Sequence, residues 1–228
     1  MIPTRKILGL LLFGALSIGI ARAQSTLTFN PCYGKEQLQL SDSAYQSNDK
    51  DSISISLFRF YVSGIELWND GKRVWEEKNY HLINVADTST LQISLSNTYT
   101  INYNKIKFNL GIDSTTNVSG AMGGDLDPMK GMYWAWQSGY INVKLEGNSP
   151  LCKTRNNGFE FHLGGYHSPF NALQTIELPI KSKDKIEVYV DLKQLLKSID
   201  LSKTNQLLSP SKEAVQLSEK LSKVFEIR

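Results

Sequence analysis

Ile53-Ser54-Ile55-Ser56-Leu57-Phe58-Arg59-Phe60-Tyr61-Val62-Ser63-Gly64-Ile65-Glu66-Leu67-Trp68, followed at once by Asn69-Asp70-Gly71-Lys72, decides the fold class. Apolar and polar residues alternate, which is the period of a half-buried strand, and Asp-Gly marks a tight turn into the next strand. The alternation changes phase twice: apolar residues stand at 53, 55 and 57, then at 58, 60 and 62, then at 65 and 67. A glycine at the second switch predicts a β-bulge at Gly64. With that bulge Ser63 and Trp68 share one side of the sheet; without it they face opposite sides.

The same texture continues on both sides of this stretch. From residue 25 to about 190 the chain is a series of short runs rich in Ile, Val, Tyr, Phe and Thr, broken by Asn, Asp, Gly and Ser. Turn signals every 8–12 residues or so, without alternating helical segments, predict an all-β protein, an antiparallel β-sandwich. Past residue 190 the period lengthens. Leu192, Leu195, Leu196 and Ile199 fit one short helix, and Ala214, Leu217, Leu221 and Val224 fit a second, capped by Ser209 or Ser211. A helical C-terminal segment is therefore expected over about 191–228.

The chain has 228 residues, a formal charge of +3 and a pI near 8.7. The excess charge lies in the first 23 residues, which hold Arg5, Lys6 and Arg22 and no acid. Arg5 and Lys6 precede an apolar run over 7–20, and Ala21-Arg22-Ala23 is a cleavage-type site, so residues 1–23 read as a cleaved export signal. The mature chain, 24–228, is then one formally neutral domain in the periplasm or outside the cell, with no segment that spans a membrane. A neutral chain without a basic run has no footprint for nucleic acid. Cys32 and Cys152 read as a disulfide in an oxidising compartment, closing a long loop worth roughly 5 kcal/mol at most.

No hydrolase, metalloprotease or phosphate-loop motif is present, which argues against an enzyme. Chemistry concentrates in three stretches. Met132, Trp134 and Trp136 fall on one face of an extended strand, either as core or as a soft, aromatic wall for Cu(I) or a stacked sugar. His162, between Phe161 and Leu163, points away from the core if Phe159 and Phe161 face it, and His167 follows shortly. Both are candidate metal ligands, ahead of His81. Asp125 and Asp127, with Asp113 upstream, offer hard oxygens for Ca²⁺, in a Gly-rich stretch over 111–131 that breaks the strand rhythm. Asn117-Val118-Ser119 is a glycosylation sequon.

Taken together, Arg59-Phe60-Tyr61-Val62-Ser63, Phe108-Asn109-Leu110-Gly111-Ile112-Asp113, Gly124-Asp125-Leu126-Asp127-Pro128, the Trp-rich block 131–140 with Lys144-Leu145-Glu146-Gly147, and Phe161-His162-Leu163-Gly164 resemble the MbnP-like family. These are exported bacterial proteins related to the copper-binding MopE and CorA proteins of methane oxidisers. The resemblance implies a β-sandwich that binds copper through histidines and through kynurenine made from a tryptophan five residues after a histidine. Here Trp68 holds the tryptophan position and Ser63 the histidine position, so the family's site lacks its first imidazole. It further implies a di-haem peroxidase-type partner and an outer-membrane receptor. The expected function is non-enzymatic copper binding, with His162, His167, Trp68 and Met132 as metal residues and Trp134 and Trp136 as the wall. The competing expectation is an envelope module that holds a glycan or partner protein by the same aromatics, its copper site lost.

Overall fold

The computed structural model describes residues 25–40, 45–48, 51–98, 100–180 and 185–228, so the expected export signal lies outside the described residues. The chain begins with β1 (Ser25–Tyr33), β2 (Glu36–Gln37) and β3 (Tyr45–Asn48), then the long hairpin β4 (Asp51–Asn69) and β5 (Lys72–Asn84). Next come β6 (Gln92–Leu95), β7 (Lys105–Leu110), a one-turn helix α1 (Ser114–Val118), β8 (Tyr133–Trp134), β9 (Gly139–Asn148), β10 (Gly158–Gly164) and β11 (Gln174–Pro179). The C-terminal part is β12 (Lys185–Asp191), α2 (Leu192–Lys197), β13 (Gln206–Leu207), α3 (Lys212–Ser222) and β14 (Phe225–Ile227).

These strands form two sheets, one ordered β14-β12-β1-β2 with β6 on β1, the other β11-β7-β4-β9-β10-β13 with β3 and β5 on β4 and β8 on β9. The all-β expectation holds. The sheets are mixed rather than purely antiparallel, because β1 runs parallel to β12 from Thr26↔Lys185 to Cys32↔Asp191, and β10 parallel to β13. The core between the sheets is aromatic: Phe29 of β1 meets Phe60 of β4 and Phe108 of β7 edge-on, at centroid distances of 5.5 and 5.7 Å. The helical expectation holds for α2 and α3, the latter capped by Ser211, whose side chain accepts the Ala214 N–H. The chain does not end there: β14 returns to pair with β12 and places Phe225 in the core.

Strand β4 organises the site region. Its pairing slips between Ser63 and Ile65, with Gly64 at φ +55°, which is the bulge the glycine predicts, and again between Ile55 and Leu57. Ser63 pairs with Asn109 and Trp68 with Lys105, residues of β7 that alternate with the buried Ile106, Phe108 and Leu110. Ser63 and Trp68 therefore do share the outer face. On the side of β4 away from β5, its first half pairs with β9 and its second half with β7. The two strands part at Tyr61, and the chain that leaves at Gly111 folds back over the outer face.

Candidate functional site

The segment from 111 to 138 is a cap on the sheet, not an open loop. Beneath it lies a second apolar cluster of Tyr61, Leu82, Ile112, Leu126, Met132, Trp134, Tyr140 and Ile141. The cap is pinned by hydroxyls from the sheet. Tyr61 donates to the Asp125 carbonyl at 2.9 Å, and Tyr140 accepts the Met122 N–H at 3.0 Å and donates to the Leu126 carbonyl at 3.1 Å. Burial, with the nearby Tyr140, pushes the Tyr61 hydroxyl well above the ordinary tyrosine range, so it stays a donor. Asp113 caps α1 by accepting the Thr116 N–H at 3.0 Å, and Tyr80 donates to its other oxygen at 2.6 Å. Burial opposes its charge, but these hydrogen bonds outweigh it and hold the carboxyl below the usual range.

The cap accounts for several of the expected site residues. Asp125 accepts the Leu82 N–H and pairs with Lys130, while Asp127 accepts the Met129 N–H at 2.8 Å. Asp125 thus fastens the cap to the sheet, and Asp127 caps the turn that follows it. Asn117 is buried, donating to the carbonyls of Ile112 and Asp113 and accepting the Tyr140 N–H, so the sequon is not displayed. The expected face of Met132, Trp134 and Trp136 is unevenly buried, although the Trp134 and Trp136 rings stay 6.1 Å apart at their centroids. Met132 and Trp134 are buried, and a methyl group placed on Gly164 would stand 2.7 Å from the Trp134 ring. The chain turns through Ser138 at φ +52°, leaving Trp136 68% exposed.

At the fork, Ser63 is 2% exposed and donates to the Gly111 carbonyl at 2.7 Å. Asn142 fills the gap between the parting strands and accepts the Ile112 N–H at 3.0 Å. The position where the family resemblance places a histidine is thus a closed, buried hydrogen bond. Trp68 lies further along β4, donating Nε1–H to Glu66 at 2.8 Å, with the ammonium groups of Lys105 and Lys107 5.6 and 5.8 Å from its ring centre. Two ammonium groups and no imidazole do not make a copper environment, so these residues do not fit the family's copper site.

The histidines are dispersed. His162 stands on the outer face of β10, between the fully buried Phe161 and Leu163, as the sequence predicts. It lies directly opposite Lys144, which lies opposite Arg59 of β4. Trp68 is nine residues beyond Arg59, so at a rise of ~3.3 Å per residue it is roughly 25 Å or more from His162. Its Nε2 is 2.8 Å from Glu146. A neutral ring donates that N–H and keeps its lone pair on Nδ1, for which the described residues supply no partner. Burial first, then the charge of Lys144, holds the imidazole below its ordinary pKa, against the pull of Glu146. His167 is exposed and packs on Tyr166 at 4.0 Å, and His81 pairs with Glu77 at 2.7 Å on another strand. Among the described residues no three His, Cys, Asp or Glu converge on one point that could hold a metal ion.

The expected Cys32–Cys152 disulfide is not formed: both are buried free thiols, and burial pushes both above the ordinary pKa. They belong to different sheets' ends. Cys32 closes β1 opposite Asp191, and Cys152 sits in the turn after β9, its N–H donating to the Ser149 carbonyl. Among the described residues no helix is long and apolar enough to cross a membrane. Sequence reasoning passed over Asn142, and it quoted Arg59, Tyr61 and Lys144 in the family motifs without giving them a role. Tyr61 carries a signal of its own, as an apolar residue out of phase with its neighbours, the mark of a strand covered on both faces.

A family model described as MbnP matches residues 22–213. Among solved structures, MbnP from Methylosinus trichosporium aligns with 78% of this chain and 79% of its own, at 16% identity and a TM-score of 0.54, which is a likeness of fold. No curated protein matches the chain.

Proposed function

The chain belongs to the MbnP family, and from that premise we propose that it is an exported, non-enzymatic protein of copper handling in the cell envelope. Copper is its cargo, not a resident cofactor. The observation that carries this reading is His162, a half-buried imidazole whose tautomer Glu146 fixes and for whose second nitrogen the described residues supply no partner. A carboxylate behind an imidazole orients it for a metal. With a single histidine and, among the described residues, no convergent set of ligands, the contact is labile, suited to passing a metal on. The reading makes the di-haem peroxidase-type enzyme and the outer-membrane receptor of the family resemblance its proposed partners, and Trp68 an unmodified tryptophan.

Equilibrium dialysis with Cu(I) tests it. Weak, reversible binding is expected, lost in His162→Ala and retained in His81→Ala, with the intact mass of the exported chain showing no change at Trp68. No copper retained by the parent, or equal retention by His162→Ala, would sink the reading. Binding should also weaken as pH falls through the lowered pKa of His162, where the proton takes the lone pair. The same group makes stability pH-dependent. Below about pH 6.5 the unfolded chain binds its proton before the folded one does, so stability is full above that pH and is lost on acidification. His162→Gln should flatten this acid limb, as urea titrations at stepped pH would show.

A second reading, an envelope module for a glycan or partner protein, is favoured by one observation. Half of the exposed large apolar side chains among the described residues, namely Val118, Met122, Met129 and Trp136, fall on the rigid cap. Loss of glycan-array or partner binding in Trp136→Ala, with copper retention unchanged, is the outcome that prefers it. Binding of neither kind of ligand by the parent would remove it.

A further inference from the structure

The outer face of the larger sheet carries an arrangement that neither the copper contact nor the cap explains. Arg59 of β4 lies directly opposite Lys144 of β9. Phe58, Phe60, Val143 and Leu145 on either side of them are buried in the core, so both cations share the outer face. Directly opposed side chains stand about 5 Å apart at Cβ, and like charges there are destabilising. Among the described residues neither cation has a carboxylate partner. Arg59 donates Nη1–H to the Lys130 carbonyl at 2.9 Å and Nε–H to Asn84 Oδ1 at 3.2 Å, and Lys144 donates to the Gly131 carbonyl at 3.0 Å. These carbonyls fix the geometry and leave both charges unneutralised.

A third cation, Lys130, reaches in from the cap, held by Asp125. Arg59, Asn84, Thr90, Met129 and Lys130 line a cavity of about 310 Å³. The acid in its lining, Asp87, accepts the Ser89 N–H and hydroxyl on one oxygen. His162, next along the row beyond Lys144, has its own acid in Glu146.

We infer that this cavity binds a compact oxyanion of the phosphate or carboxylate class, on the guanidinium of Arg59 and the ammonium group of Lys130, with Lys144, opposite Arg59 and outside the lining, adding to the positive field. The guanidinium keeps its Nη2 donors for a forked contact, the geometry in which arginine holds such groups best. The bound anion supplies the counter-charge that Arg59 and Lys144 lack among the described residues. Without it the opposed pair costs stability, which is the trade expected where function and stability compete.

Calorimetry and thermal melts of the full chain, with inorganic phosphate and separately with citrate at fixed ionic strength, test the inference. Saturable binding of at least one anion is expected, and the tighter of the two identifies a phosphoryl or a carboxylate ligand. Arg59→Gln should weaken it by roughly tenfold, Lys144→Gln should weaken it less, and Lys197→Gln, on α2, should leave it unchanged. In chloride alone, Lys144→Gln should melt above the parent, because it relieves repulsion. A lysine that only clamps the cap gives the opposite sign. No saturable binding of either anion up to about 10 mM, or a lower melting point for Lys144→Gln together with an unchanged anion response, overturns the inference.

Discussion

Gly111→Ala should cost about 3 kcal/mol of stability and lower the melting temperature by roughly 6–12 °C in a thermal scan. Two effects add at this position. Gly111 stands at φ +119°, where a side chain is strained, and a Cβ there would lie 2.4 Å from Asn142 Cγ. Asn142 cannot yield, because it is 1% exposed and its oxygen holds the Ile112 N–H that starts the cap. Gly120→Ala is the control. It too has a left-handed backbone, φ +83°, but nothing lies within 4 Å of the added carbon, so it should cost only about 1 kcal/mol. Asn142→Ala relieves the clash while orphaning the Ile112 N–H, and the double substitution should therefore be less damaging than the sum of its parts. If Gly111→Ala melts like Gly120→Ala, the close packing of Asn142 against Gly111 does not hold the fork. A true joint also keeps the position of the family's histidine shut, since Ser63 there is closed by the Gly111 carbonyl itself.

How far the fold was legible depends on the range of the interaction that decides each element. Strand β7 reads to the residue because Ile106, Phe108 and Leu110 alternate strictly with polar neighbours, and the Gly64 bulge reads because it shifts that same local phase. Helix α3 and its Ser211 cap are equally local. The parallel pairing of β1 with β12 is not, since it joins residues at opposite ends of the chain, and the three residues of β14 are too few to show a period. The candidate site divides in the same way. That His162 turns outward follows from Phe161 and Leu163, whereas its partner Glu146 and the opposed Arg59 and Lys144 depend on strand register, which side-chain alternation leaves open by steps of two. The exposure of Trp136 was not legible, because the strand ends at Trp134 and the chain turns before Gly139, although its ring stays beside that of Trp134. The disulfide expectation rested on compartment alone and had no geometric content.

Phe60→Ala should be the other severe substitution, costing about 3–5 kcal/mol by opening a cavity where the sheets meet. Its ring meets Phe29 of β1 at 5.5 Å and 81° and Phe225 of β14 at 5.7 Å and 88°, so one side chain of the larger sheet bears on two strands of the smaller. All three rings are buried. The pairing with Phe225 makes a claim beyond core packing. If the C-terminal strand closes the sandwich, Phe60→Ala and Phe225→Ala remove parts of one contact. A double-mutant cycle in urea should then show coupling of about 0.5–1.5 kcal/mol beyond area burial. Additivity within about 0.3 kcal/mol would mean that β14 packs independently of the inter-sheet core. Coupling has a consequence for the outer face as well. Arg59 neighbours Phe60 on β4, so a core that fixes Phe60 also fixes the register that sets Arg59 against Lys144 and Lys144 against His162. Anion binding and copper retention should therefore weaken together in Phe60→Ala at temperatures below its melt, although neither ligand reaches the substituted residue.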